Sequence, residues 1–118
     1  FPGKRLNMVG DMPAAAMKQW SRWCRSKDYL FDNISTEQKK RYKAFSAPIS
    51  AFHIADDELL QRSNIENLLA HYPNADKVLK DLTPEMTESK GIGHFNFFRS
   101  QFKESLWRKN LLDALKVN

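Results

Sequence analysis

The sequence predicts an α/β fold with about two parallel strands and flanking helices, and three observations carry that expectation. Ile49-Ser50-Ala51-Phe52-His53-Ile54 is short and largely apolar, with Pro48 before it and acids after it, the pattern of a buried strand. Val78-Leu79-Lys80-Asp81-Leu82 is a second strand, closed by Thr83-Pro84. Stretches with helical spacing lie before, between and after these two runs. The order is helix, helix, strand, helix, strand, helix, and strands alternating with helices of this length imply βαβ units and a parallel sheet. A two-stranded parallel sheet leaves both edges unpaired, so an incomplete domain is expected.

The elements follow in order. Asp11 is placed to cap a first helix, with Pro13 in its first turn, where the missing N–H costs least. Met17, Trp20 and Cys24, with Trp23 beside them, give that helix an apolar face to about Arg25. Tyr29-Leu30-Phe31 reads as an apolar anchor in a loop. Ser35-Thr36-Glu37-Gln38 offers a capping box ahead of a short polar helix. A second capping box, Ser63-Asn64-Ile65-Glu66, precedes a helix whose face is Ile65, Leu68, Leu69 and Tyr72, ended by Pro73-Asn74. Gly91-Ile92-Gly93-His94 reads as a flexible loop. Phe98, Phe102, Leu106, Leu111 and Leu115 then stripe a terminal helical stretch with a break expected near Ser105.

Composition narrows the function classes. With 42% hydrophobic and 28% charged residues, the 118-residue chain is an ordinary globular sequence of one domain at most. It holds no apolar run long enough to span a bilayer and no signal-peptide pattern, and its single cysteine, Cys24, cannot form an internal disulfide. Cytoplasmic localisation is the expectation. Because the sequence opens on Phe1-Pro2-Gly3 and not on methionine, processing or truncation is expected. The net charge of +5 is spread over three clusters, around Lys18–Lys27, Lys39–Lys43 and Arg99–Lys109, and acids gather between them. That distribution carries little weight toward an anionic partner.

Two places carry chemistry. The first strand runs straight into Asp56-Asp57-Glu58, and in open α/β sheets functional groups gather beyond the carboxyl ends of strands. The bland alternative is that Asp56 and Asp57 form a turn and cap the next helix. The second place is His94, behind two glycines and ahead of Phe95, Phe97 and Phe98. A lone loop histidine is more often just polar surface. The combination shifts the balance: an acid after one strand and a histidine after the next occur in the order nucleophile, acid, histidine of α/β-hydrolases.

Pro48 to Asp57 resembles the strand and acid turn of the α/β-hydrolase superfamily. Gly93-His94-Phe95-Asn96-Phe97-Phe98-Arg99, with Leu106-Trp107 after it, resembles a bacterial group of predicted α/β-hydrolases. Phe1-Pro2-Gly3-Lys4-Arg5 and Trp20-Ser21-Arg22-Trp23-Cys24-Arg25 look like that group's segment between the two halves of its sheet, where a cap sits. The resemblance implies the C-terminal part of a serine hydrolase acting on ester, thioester or amide bonds. Residues 1–46 would be a cap or connecting helical segment and residues 47–118 the last strands and helices of the sheet. His94 would be the general base and Asp57 the acid that orients it, with Asp56 as the runner-up. No cofactor or metal is implied.

One departure from that pattern matters. A nucleophile elbow needs Gly-x-Ser-x-Gly, and no serine here has both flanking glycines. The missing N-terminal half is thus an expected partner, and the chain alone is expected to be inactive. Loss of the triad serine lowers kcat roughly 10⁶-fold in a protease such as subtilisin. Two other readings stay open: a small basic module docking an anionic or protein partner, and self-association through exposed strand edges. Trp20 and Trp23 beside Arg22 and Arg25 could stack on nucleic-acid bases, but core packing is favoured. His53 reads as a satisfied core histidine, and His53, Asp56, Asp57 and His94 match no metal-site spacing.

Overall fold

The computed structural model describes residues 12–116, and the chain divides into two compact units at the junction of Arg41 and Tyr42. The Phe1-to-Arg5 segment and Asp11 lie outside the described residues. In the first unit, α1 (Ala14–Cys24) begins two residues later than a cap at Asp11 implies. Pro13 stands before the helix, not within it, because its extended ψ of 139° places it at the boundary. From there its carbonyl accepts the N–H of Met17 at 3.0 Å. No residue of α1 is fully buried and Trp20 is exposed; among the described residues Trp23 makes an edge contact with Tyr29. Tyr29–Asn33 is a 3₁₀ turn rather than an irregular loop, and it buries Phe31. α2 (Thr36–Ala44) opens on the expected capping box: Ser35 N–H donates to Gln38 Oε1 and Gln38 N–H to Ser35 Oγ.

The second unit holds the sheet. The end of α2 belongs to it, since Tyr42 and Phe45 both pack edge-on against Tyr72. β1 (Ile49–Ile54) and β2 (Lys77–Leu82) pair in parallel, with Ile49 opposite Lys77 and Ile54 opposite Leu82. The described residues therefore combine helices with a two-stranded parallel sheet, an α/β arrangement. Within them, each strand keeps one edge unpaired. α3 (Arg62–Leu69) makes the crossover between the strands. Its capping box is not the expected one at Ser63. Asn64 Oδ1 instead accepts the N–H of Gln61, so the helix starts a turn-fraction earlier and Tyr72 falls beyond its end.

The core of this unit is Leu82, Ile92, Phe102 and Leu106, each at most 1% exposed, with Phe52, Ile54, Phe97 and Trp107 packed against it. Full burial of one such side chain is worth about 1.5–3 kcal/mol. The stretch after β2 is held more firmly than a flexible loop. A 3₁₀ turn (Pro84–Met86) follows the strand, Thr87 Oγ1 donates to the Pro84 carbonyl, and Ser89 Oγ donates to the Gly91 carbonyl. α4 (Gly93–Asn96) then begins within the expected loop, so His94 sits in a first helical turn. Gly93 opens it with φ +66°, a left-handed backbone that glycine adopts without a Cβ penalty.

The terminal stretch has no break at Ser105. Its irregularities are a 3₁₀ turn at Ser100–Phe102 and a π-helical run over Lys103–Leu111, passing into α5 (Leu112–Leu115). Buried positions recur every four residues, at Phe102, Leu106 and Asn110, as the wider turn demands. Phe98 and Leu115, both placed on the stripe expected from the sequence, are exposed. No helix among the described residues is long and apolar enough to cross a membrane.

Candidate functional site

Parallel pairing puts the carboxyl ends of β1 and β2 on the same side, so the turn after each strand meets the turn after the other. The N–H of Ala55 extends the ladder by donating to the Leu82 carbonyl at 2.9 Å. Immediately beyond, Asp57 and His94, 37 positions apart in sequence, come together: imidazole Nδ1 lies 2.8 Å from Asp57 Oδ2.

The two side chains are unequally covered. Asp57 is 8% exposed and His94 28%. Asp57 has both oxygens occupied, since Oδ1 accepts the N–H groups of Leu59 at 2.8 Å and Leu60 at 2.9 Å. Burial alone would push its carboxyl up. The hydrogen bond from His94 and those from Leu60 and Leu59 outweigh that and hold it below the ordinary aspartate range. At neutral pH Asp57 is therefore a carboxylate, which can only accept, so the imidazole proton sits on Nδ1. The lone pair is left on Nε2, the nitrogen a general base needs. His94 also meets the Phe95 ring edge-on, with centroids 4.6 Å apart.

Asp56 does not touch the imidazole. Its Oδ2 accepts the N–H of Ile92 at 2.8 Å and its Oδ1 the N–H of Gly93 at 3.0 Å. The turn-forming alternative weighed for this acid pair is thus partly realised: Asp57 spends one oxygen on its own turn and one on His94. Neither acid caps α3, which starts at Arg62 with Gln61 at its cap.

A second histidine–acid pair lies on the sheet. Register places His53 opposite Asp81, and His53 Nδ1 lies 2.8 Å from Asp81 Oδ1. Asp81 Oδ2 takes Arg62 Nη1 of α3, and Arg62 Nε donates to Glu66 at 2.9 Å. Asp81 and Arg62 were not singled out in the sequence. The available signal was the parallel alignment of the two six-residue strands end to end, which sets His53 against Asp81. Downstream, Trp107 Nε1 donates to the Phe97 carbonyl at 2.7 Å and ties the terminal stretch to the end of α4.

Among the described residues no cluster of histidine, cysteine, aspartate or glutamate could hold a metal ion. Cys24 is exposed and unbonded to another cysteine. No family model, curated protein or solved structure matches the chain.

Proposed function

We propose that this chain supplies the acid and the base of a serine-hydrolase triad, Asp57 and His94, within an α/β-hydrolase-type sheet. The observation that carries the reading is the pair itself: an ionised, covered carboxylate on Nδ1 of an imidazole whose other nitrogen is left basic. In this role His94 Nε2 takes the proton of a nucleophilic hydroxyl and returns it to the leaving group, while Asp57 holds the tautomer and stabilises the imidazolium. The substrate class is an ester, thioester or amide.

Two further observations support it. Both partners stand beyond the carboxyl ends of parallel strands, where open α/β sheets collect their functional groups. The unpaired edges of β1 and β2 are where further strands of such a sheet would add. No serine of the sequence lies in a Gly-x-Ser-x-Gly setting, so the nucleophile and the oxyanion hole are assigned to polypeptide outside these 118 residues.

The test is fluorophosphonate labelling of the encoded gene product beside the 118-residue chain. The reading expects a labelled serine in the former, none in the latter, and loss of labelling on His94→Ala. Undiminished labelling of that variant would remove His94 from the chemistry, and labelling of the 118-residue chain would overturn the division of roles.

A further inference from the structure

The neighbouring acids do different work, and the second one has a role that its position beside Asp57 hides. We propose that Asp56 is a positioning residue that fixes the backbone of the Gly91–His94 turn and thereby the protonation pattern of His94. The proposal rests on the reading of His94 as a base, and its test can be read without turnover.

The geometry runs from Asp56 to the ring in three steps. First, α4 has four residues and cannot hold itself: helix nucleation fixes several dihedrals for a single hydrogen bond. Its N-terminal N–H groups need outside acceptors. Secondly, Asp56 provides them for Ile92 and Gly93, one carboxylate oxygen each, the charge-assisted kind of bond that is about twice as strong as a neutral one. Ile92 is also pinned by its side chain, 1% exposed in the core, so the residue two before His94 is fixed at both ends. Thirdly, Gly93 has φ +66°, which turns the chain so that the following residue presents its imidazole to Asp57. Remove the carboxylate and two donors lose their partner next to a left-handed residue.

Gly91 gives independent support. A Cβ there would stand 3.0 Å from Asp56 Oδ2, a tight approach that the carboxylate would have to yield to by a few tenths of an ångström. The backbone thus approaches the carboxylate as nearly as a residue without a side chain allows. Among the described residues, the Asp56 oxygen is the neighbour the added atom would meet within 4 Å.

The consequence concerns the tautomer of the neutral ring. A nearby negative charge favours an imidazolium whatever its direction. Only a correctly placed acceptor selects Nδ1–H over Nε2–H, and the placement here depends on the turn. Asp56 therefore acts on the reaction through His94.

The experiment is imidazole ¹⁵N NMR of the full 118-residue chain at neutral pH, with His53 as an internal reference because its partner Asp81 lies on the sheet. The parent chain shows His94 as the Nδ1–H tautomer. Asp56→Ala loses that signature while His53 keeps its own, and Asp56→Asn, whose amide oxygen still accepts one N–H, recovers part of it. Retention of the Nδ1–H signature in Asp56→Ala overturns the proposal. If Asp56→Ala does not fold, shown by loss of the His53 signature, Gly91→Ala decides: it keeps the charge and displaces the carboxylate. An unchanged His94 there overturns the proposal as well. In the encoded gene product Asp56→Ala lowers the fluorophosphonate labelling rate about 10²-fold, the scale of a 1 Å misplacement. If His94→Ala proves without effect on labelling but the tautomer still follows Asp56, the hydrolase reading fails and the positioning role stands.

Discussion

Two histidine–aspartate pairs of the described residues, His53–Asp81 and His94–Asp57, have the same 2.8 Å Nδ1–Oδ separation, and they are built in opposite senses. At His53–Asp81 the imidazole is the covered partner, 13% exposed, and the acid is 45% exposed. At His94–Asp57 the acid is covered and the imidazole is open. The partners of the acids differ too. Asp81 shares its charge with Arg62, a permanent cation, whereas Asp57 faces only neutral backbone donors and the ring. A carboxylate already satisfied by a guanidinium has little left with which to stabilise an imidazolium, so the first pair is a clasp joining β1, β2 and α3. Distance alone does not separate an orienting acid from a structural one. Which member of the pair meets solvent, and who else holds the acid, does.

Four outcomes would sharpen or break that distinction. Asp57→Asn gives the largest effect: labelling of the gene product falls about 10⁴-fold, the size seen when a chymotrypsin-type triad acid becomes an amide. Asp81→Asn, measured in the same way, leaves the labelling rate unchanged. A fall of similar size in both would erase the difference between the pairs.

His53→Ala comes next and is a stability effect, about 1–3 kcal/mol by urea denaturation, from a covered strand residue losing its packing and its bond. His94→Ala should lower stability less, since its ring is more exposed.

The third outcome is a pH dependence. Asp57 and Asp81 both titrate below the ordinary aspartate value, Asp57 against the pull of its own burial and Asp81 through bonds from His53 and then Arg62. A folded-state value below the unfolded one adds stability above pH 3.8 that is lost as pH falls through the folded value. Denaturation midpoints should therefore drop on acidification below about pH 4. The drop should be shallower in Asp57→Asn, and an equally steep one would show that Asp57 is not held down. Smallest is Glu66→Gln, which breaks only an exposed contact of Arg62 and leaves the thermal midpoint essentially unmoved.

The sheet was legible in the sequence because its signals are local. Pro48 and the acid run bracket Ile49–Ile54, and Thr83-Pro84 closes the second strand, so both strands lie within a residue of their expected bounds. The alternation with helices then implies parallel pairing. Helix starts were less legible, since the residue that caps depends on which side chain reaches which N–H. Asn64 serves Gln61, although Ser63 and Glu66 have the capping-box spacing. The π-helical run was not legible, since spacing of apolar residues by four is equally that of an ordinary helix. The candidate acid and histidine were readable as types in order, whereas the separate duties of Asp56 and Asp57 needed coordinates, because a turn at 56–57 reaches residues 36 and 37 positions away.

That separation has a kinetic consequence. A contact spanning 37 residues cannot form until the loop between is closed, and parallel pairing of β1 with β2 is the step that closes it. The helices α1 and α2 can appear from local interactions while Asp57 and His94 are still strangers. In a refolding experiment the Nδ1–H signal of His94 should thus be among the last to emerge, after helical signal has recovered, and it serves as a clock for completion of the sheet.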